Sequence, residues 1–338
     1  MRWKVVMTLD LPAYSDINQE SFREIDADFV KQQCDSEEEI IALCHDADAL
    51  ITISLYQRLN RTVMERLNRC KIIANIGIGY DGIEVDAASD QGICVANVAD
   101  YCLDEVAEHT IALILAWGRR IITLHGLVKE GKWTIQRPEM RNEVWPRMHR
   151  LRNQTLGLIG FGHIPQTLVP KVRGLVARIL ACDPYVDQKI ATRLGVELVE
   201  LDHLLAESDF VSVHANLTSE TKDLLGIDQF KRMKQTAFLI NTARGGIVDR
   251  EALYTALTQG FISGAGLDVV DPEPPDPNDP LLKLDNVILT GHSAHASVES
   301  SIELHKRPVE EVIRVYKGKW PLNLVNPEAK DRFNRKFK

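Results

Sequence analysis

The chain has 338 residues, 45% hydrophobic and 26% charged, the balance of an ordinary globular protein of two domains or one large one. Its formal charge of −8 gives no basic field for nucleic acid or an anionic membrane. The longest apolar run, residues 111–117, is far below the ~18 residues of a membrane span. The N-terminus enters a strand at once, which is not the pattern of a signal peptide.

In chain order, the first hundred residues alternate strand and helix. Apolar strand runs are expected at 4–7, 49–53, 71–76 and 93–97, with amphipathic stretches at Glu37–Cys44 and 61–67 between them. That pattern is an open α/β unit with a parallel sheet. One long helix is expected over 104–129. Asp104, Glu105 and Glu108 suit its positive end, and its middle is apolar nearly all round, which predicts burial between domains or subunits. Residues 133–152, with Pro138 and Pro146, read as an irregular loop.

A second α/β series follows, with strands expected at Thr155–Ile159, Arg178–Cys182, 210–214, 237–241, 265–269 and 287–290. Prolines at 272, 274, 275, 277 and 280 make a stiff loop after one strand end, and a last helix is expected over Val298–Tyr316. The six cysteines show no CxxC or zinc-type pairing. They read as reduced, buried thiols of a cytoplasmic protein, and no metal site is expected.

The stretch from Thr155 to Asp183 carries the strongest local signal. An apolar strand enters the turn Gly160-Phe161-Gly162, a helix follows, and a second strand ends on Asp183, 21 residues past Gly162. Glycines there permit a tight turn and close approach of a pyrophosphate to a helix N-terminus, and the acid is placed for a ribose. The third glycine position holds Pro165, and Pro170 lies inside the helix. An interior proline removes a hydrogen bond at roughly 3 kcal/mol, so a kinked or shortened helix is expected.

Open parallel sheets bind ligands beyond the carboxyl ends of their strands. Three chemically apt residues fall there: Arg244 after one strand, Glu273 in the proline loop after the next, and His292 after the last. Taken singly they read as a surface ion-pair partner, a solvated acid and a structural histidine. Together they form the kit for hydride exchange with a 2-oxo acid: a guanidinium for the carboxylate, an imidazole to move the proton and a carboxylate to hold that imidazole.

These residues resemble the D-isomer-specific 2-hydroxyacid dehydrogenase family. Asn241 to Asp249 matches its NTARGG-[IL]-VD pattern, Leu267 to Pro274 its LDV-x-x-x-EP, and Thr290-Gly291-His292 its TPH. The resemblance covers nearly the whole chain, residues 76–81 and 99–105 included, and through 99–105 and 292–297 it looks most similar to the C-terminal-binding-protein branch. The resemblance implies two Rossmann-like domains with parallel sheets and a cleft between them: a discontinuous, flavodoxin-like substrate-binding domain (1–101 plus 296–338) and an NAD-binding domain (102–295). It also implies a homodimer.

By matching position, Arg244 anchors the substrate carboxylate and carbonyl. His292 is the general acid/base, and Glu273 orients it. The N–H groups of Ile78 and Gly79 hold the carboxylate as well. Gly160, Gly162, His163 and Ile164 cradle the pyrophosphate of NAD, Asp183 takes the ribose, His214, Thr242, Asp268 and Ala294 line the nicotinamide end, and Ala243 also binds the cofactor. A carboxylate at 183 and no arginine in 184–187 favour NAD over NADP.

The chain departs from the family pattern at Pro165, Pro170, Asn216 and Gly291, and His295 stands where the C-terminal-binding-protein branch has an aromatic. His295 is expected to line the pocket and favour a substrate with a second polar group; the bland alternative is a rim histidine. Two rival readings are a dinucleotide-responsive binding protein, which the altered glycine turn favours, and a relative acting on a phosphonate- or phosphite-type anion. The Arg–Glu–His set favours an enzyme that interconverts a 2-oxo acid and a D-2-hydroxy acid.

Overall fold

The computed structural model describes residues 2–337. The chain divides into two compact units, one running to Tyr101 and resuming at Ser297, the other spanning Cys102–Ala296. In the first, β1 (Trp3–Met7), β2 (Ala27–Lys31), α1 (Glu37–Cys44), β3 (Ala49–Thr52), α2 (Arg61–Met64), β4 (Ile72–Asn75), α3 (Val85–Asp90) and β5 (Cys94–Ala96) follow one another. The strands form a wholly parallel sheet in the order β2-β1-β3-β4-β5.

Successive side chains of a strand point to opposite faces, so each strand feeds two cores. Val5, Met7, Ile51 and Ile72 enter one; Val6, Leu50, Ile73 and Val95 enter the other, against Ile40, Val63 and Ala87 of the helices. Burial on both faces is why these strands read as continuous apolar runs. β2 was not legible: its sequence ADFVK lies on the sheet edge and is only partly covered.

The second unit begins with α4 (Leu103–Gly118) and α5 (Ile121–Lys129), which replace the single long helix expected there. They meet at 57°. The chain turns at Arg120, whose backbone is left-handed (φ 51°) and whose guanidinium stacks 3.7 Å above the Trp117 ring. α4 buries Leu113, Ile114 and Trp117, whereas α5 buries no residue. Residues 140–153 are not a plain loop but three short helical turns.

Then come β6 (Thr155–Ile159), α6 (His163–Val172), β7 (Arg178–Cys182), α7 (Gln188–Arg193), β8 (Glu197–Leu198), α8 (Leu201–Glu207), β9 (Phe210–Val213), α9 (Ile227–Arg232), β10 (Phe238–Asn241), α10 (Arg250–Thr258), β11 (Gly264–Leu267) and β12 (Val287–Leu289). The parallel order β12-β11-β10-β9-β6-β7-β8 is a doubly wound sheet that reverses direction between β6 and β9. α6 is ten residues long and passes Pro170 by two, with the ring on its exposed side. α11 (Val298–Tyr316) and α12 (Lys330–Phe337) return to the first unit, where Leu304, Val312 and Phe333 complete its core. Both units are therefore Rossmann-like, with parallel sheets.

All six cysteines are free and five are buried. Burial pushes the Cys70 and Cys94 thiols up to about 12, so they are inert. Among the described residues no single helix is long and apolar enough to cross a membrane, and no group of three His, Cys, Asp or Glu could hold a metal ion.

Candidate active site

The reversal point between β6 and β9 brings two turns together. Gly160 has φ +87°, and a Cβ there would lie 2.8 Å from the Ala215 nitrogen, so only glycine fits. Its N–H donates to Cys182 O at 2.9 Å. The Asp183 carboxylate accepts from the N–H groups of Phe161 and Tyr185, each at 2.8 Å, and so ties the glycine turn to the end of β7.

Gly162 is different, because a Cβ there would meet nothing within 4 Å. Nothing inside the chain demands a glycine at this position. The open space lies at the N-terminus of α6, which has no side-chain cap. Helix geometry leaves the N–H groups of His163 and Ile164 without intrahelical acceptors. Pro165, buried at the third helical position, has no N–H to offer. A shaped space with backbone donors and a positive dipole end fits a pyrophosphate.

At the end of β9, His214 Nε2 lies 2.9 Å from Ser212 Oγ, and burial pushes the imidazole down to about 4, so the ring is neutral near pH 7. After β10, the Asn241 side chain accepts from Ala243 N (3.0 Å) and donates to Arg244 O (2.8 Å), pinning this strand end. Arg244 Nη1 donates to Ala243 O at 2.7 Å. Gly245 packs against the next loop so closely that a Cβ would sit 2.1 Å from Val270 C. Thr242 Oγ1 is buried with no hydrogen-bond partner, an orphan that a bound molecule would satisfy.

Asp268, 3% exposed after β11, organises the last strand end. Its carboxylate accepts from Thr290 Oγ1 (2.5 Å), Ser293 N (2.8 Å) and Ala294 N (3.0 Å), and its carbonyl from His292 N (2.6 Å). His292 sits at φ +55°, and its Nδ1 lies 2.5 Å from Glu273 Oε1. The His295 ring is 5.8 Å from that of His292, nearly perpendicular, and burial followed by the charge of His292 pushes its imidazole down.

In the first unit, Ile78 and Gly79 lie in a turn after β4 whose carbonyls are all held inward. Asn75 Nδ2 donates to Gly77 O (3.3 Å) and Gly79 O (2.7 Å), Asn97 Nδ2 to Ile78 O (2.7 Å), and Ser54 Oγ to Gly79 O (3.0 Å). Gly77 takes φ +122° to allow this. With its oxygens turned in, the turn offers its N–H groups as a small anion nest.

Gly160, Gly162, Asp183, His214, Thr242, Ala243, Arg244, Asp268, Glu273, His292, Ala294 and His295 thus all follow strands of one sheet, at their carboxyl ends. Arg244, Glu273 and His292 follow three neighbouring strands, β10, β11 and β12. The sequence reading missed Asn75 and Asn97, whose signal is an amide closing an otherwise apolar strand. It also missed His109 on α4, 3.0 Å from Thr290 Oγ1. A cavity of about 410 Å³, lined by Trp117, Arg120, Arg147 and Asn286, opens beside the amino ends of the strands. That is the wrong edge of a doubly wound sheet for a nucleotide.

Comparison with known proteins agrees with this geometry. Residues 111–294 match the family model of the NAD-binding domain of D-isomer-specific 2-hydroxyacid dehydrogenases. The chain is 38% identical over 333 residues to a glyoxylate reductase of Korarchaeum cryptofilum, covering 97% of each. Among solved structures it is similar to a D-lactate dehydrogenase of Aquifex aeolicus complexed with NAD and lactic acid (TM-score 0.81, 27% identity, 93% of this chain and 96% of that one). It is also similar to an NADPH-dependent glyoxylate/hydroxypyruvate reductase of Sinorhizobium meliloti in complex with NADP and malonate (TM-score 0.83, 26% identity, 98% of each). The chain belongs to the D-isomer-specific 2-hydroxyacid dehydrogenase family and is an NAD-dependent oxidoreductase of 2-hydroxy acids.

Proposed function

We propose that the enzyme reduces a short 2-oxo acid of the glyoxylate or hydroxypyruvate class to the D-2-hydroxy acid. The observation that carries this reading is the 2.5 Å contact between His292 Nδ1 and Glu273 Oε1, a proton-holding pair at the strand tips. Bound NADH supplies the hydride. Arg244 takes the substrate carboxylate and carbonyl. His292 gives its Nε2 proton to the carbonyl oxygen while Glu273 holds the Nδ1 proton and offsets the charge. His163 and Ile164 N–H groups and the space at Gly162 receive the pyrophosphate, Asp183 the ribose, and the residues around Thr242 and Asp268 the nicotinamide.

His295 flanks His292 and is assigned to the substrate side chain, where a donor favours a second polar group. Asp183 keeps the ribose site anionic, which favours NADH over NADPH. Ile121 and Ile122, each 53% exposed on α5, and Ile135, 96% exposed, leave an apolar surface that a second copy would cover.

The test is loss of NADH absorbance with glyoxylate, hydroxypyruvate, pyruvate and a dicarboxylic 2-oxo acid. Turnover is expected, fastest with the short hydroxylated acids, and lost in His292→Gln. Tight NADH binding with no turnover of any acid would instead indicate a dinucleotide-responsive binding protein.

A further inference from the structure

The hydrogen bonds behind His292 fix the direction of a proton chain. Thr290 Oγ1 lies 2.5 Å from Asp268 Oδ1 and 3.0 Å from His109 Nε2. A hydroxyl has one proton, and an ionised carboxylate can only accept. The Thr290 proton therefore goes to Asp268, and Thr290 Oγ1 accepts from His109, which places a proton on His109 Nε2. Among the described residues Asp268 has no lysine or arginine within ion-pair distance, and His109 Nε2 lies 3.8 Å from its carboxylate.

That carboxylate, with its own carbonyl, gathers the N–H groups of His292, Ser293 and Ala294. Gly291 (φ +61°) and His292 (φ +55°) are both left-handed, which is uncommon for a histidine and persists only when surrounding contacts over-determine it. Gly291 adds no stiffness of its own, so the conformation depends on Asp268.

We propose that His109 is a positioning residue for the reaction: through Thr290 it holds the Asp268 carboxylate, which holds the backbone that aims His292. The inference rests on His292 being the proton donor. His109 lies on α4, so this chain couples that helix to the strand-end loop.

The test compares His109→Ala, His109→Gln, Thr290→Val, Thr290→Ser and the His109→Ala, Thr290→Val double variant, with His292→Gln as reference. Removing one link is expected to lower kcat about tenfold while KM for the 2-oxo acid stays within about threefold, because aim rather than binding is lost. The double variant should match the single ones, since both cut the same chain. His109→Gln, which keeps an N–H donor in place of Nε2, and Thr290→Ser should recover most of the rate, and this controls for misfolding.

A His109→Ala enzyme with native kcat, losses that multiply in the double variant, or no rescue by glutamine would each overturn the inference. An active His292→Gln enzyme would instead refute the proton donor itself. An inactive one beside a fully active His109→Ala would refute only the role of His109.

Discussion

Glu273 Oε1 lies 2.5 Å from His292 Nδ1, with the two side chains 26% and 27% exposed. The carboxylate thus engages Nδ1, and in the proposed mechanism it leaves Nε2 to meet substrate.

Removing that charge while keeping the shape should slow chemistry more than binding. Glu273→Gln is expected to reduce kcat by about 10–100-fold with KM little changed, and His292→Ala by about 10³-fold or more. Steady-state rates in both directions check this. A Glu273→Gln enzyme at native rate would remove the dyad from the mechanism.

The two glycines of the β6–α6 turn should behave differently. Gly160→Ala places a methyl against the Ala215 backbone at a positive φ and should destabilise the fold by about 2 kcal/mol or more. Gly162→Ala meets nothing inside the protein and should melt like the native chain, yet bind NADH at least about tenfold more weakly. Thermal melts beside fluorescence titrations of NADH distinguish them. Native affinity in Gly162→Ala would move the pyrophosphate elsewhere.

His214 should give the fold a pH dependence. Burial lowers its folded-state pKa from 6.5 to about 4. The unfolded chain therefore binds the extra proton first as pH falls. The stability is intact above about pH 6.5, declines below it, and is fully lost beneath about pH 4. With a discount for the ring's open surface, the loss by pH 5 is about 1–2 kcal/mol. Urea unfolding at pH 7.5 and pH 5 should show that His214→Gln, which cannot titrate, loses less stability than the native chain. Equal losses would refute the assignment.

Much of this was legible in the sequence because the strands are buried on both faces. Continuous apolar runs such as Ile72–Asn75 and Phe238–Asn241 mark themselves, and their ends point to the residues that follow. Two of the edge strands gave no such signal: β2 carries Asp28 and Lys31, and β8 is two residues long. The break between α4 and α5 was hidden because the hydrophobic pattern runs through it, and a left-handed arginine stacked on Trp117 is a tertiary event. Arg244, Glu273 and His292 could be named from motif and position. The supports of the site, Asn75, Asn97 and His109, could not, since their roles depend on contacts far apart in the chain, as with His109 and Thr290.

The two prolines of α6 should leave cofactor affinity nearly untouched. Pro165 is buried at the third helical position, whereas the open space borders Gly162 and the amides of His163 and Ile164, which both prolines leave in place. Pro170 is exposed two residues from the helix end, where it denies Gln166 O one donor and little else. Pro170→Ala should therefore stabilise the protein by about 1 kcal/mol, the regained bond being partly offset by a freer unfolded chain. In the Pro165→Gly, Pro170→Ala double variant the NADH dissociation constant should stay within about threefold of native, since the amides proposed to meet the pyrophosphate are unchanged. Tightening by more than about tenfold would mean that the prolines weaken the hold on the cofactor, and that the third-position N–H matters more than the first two.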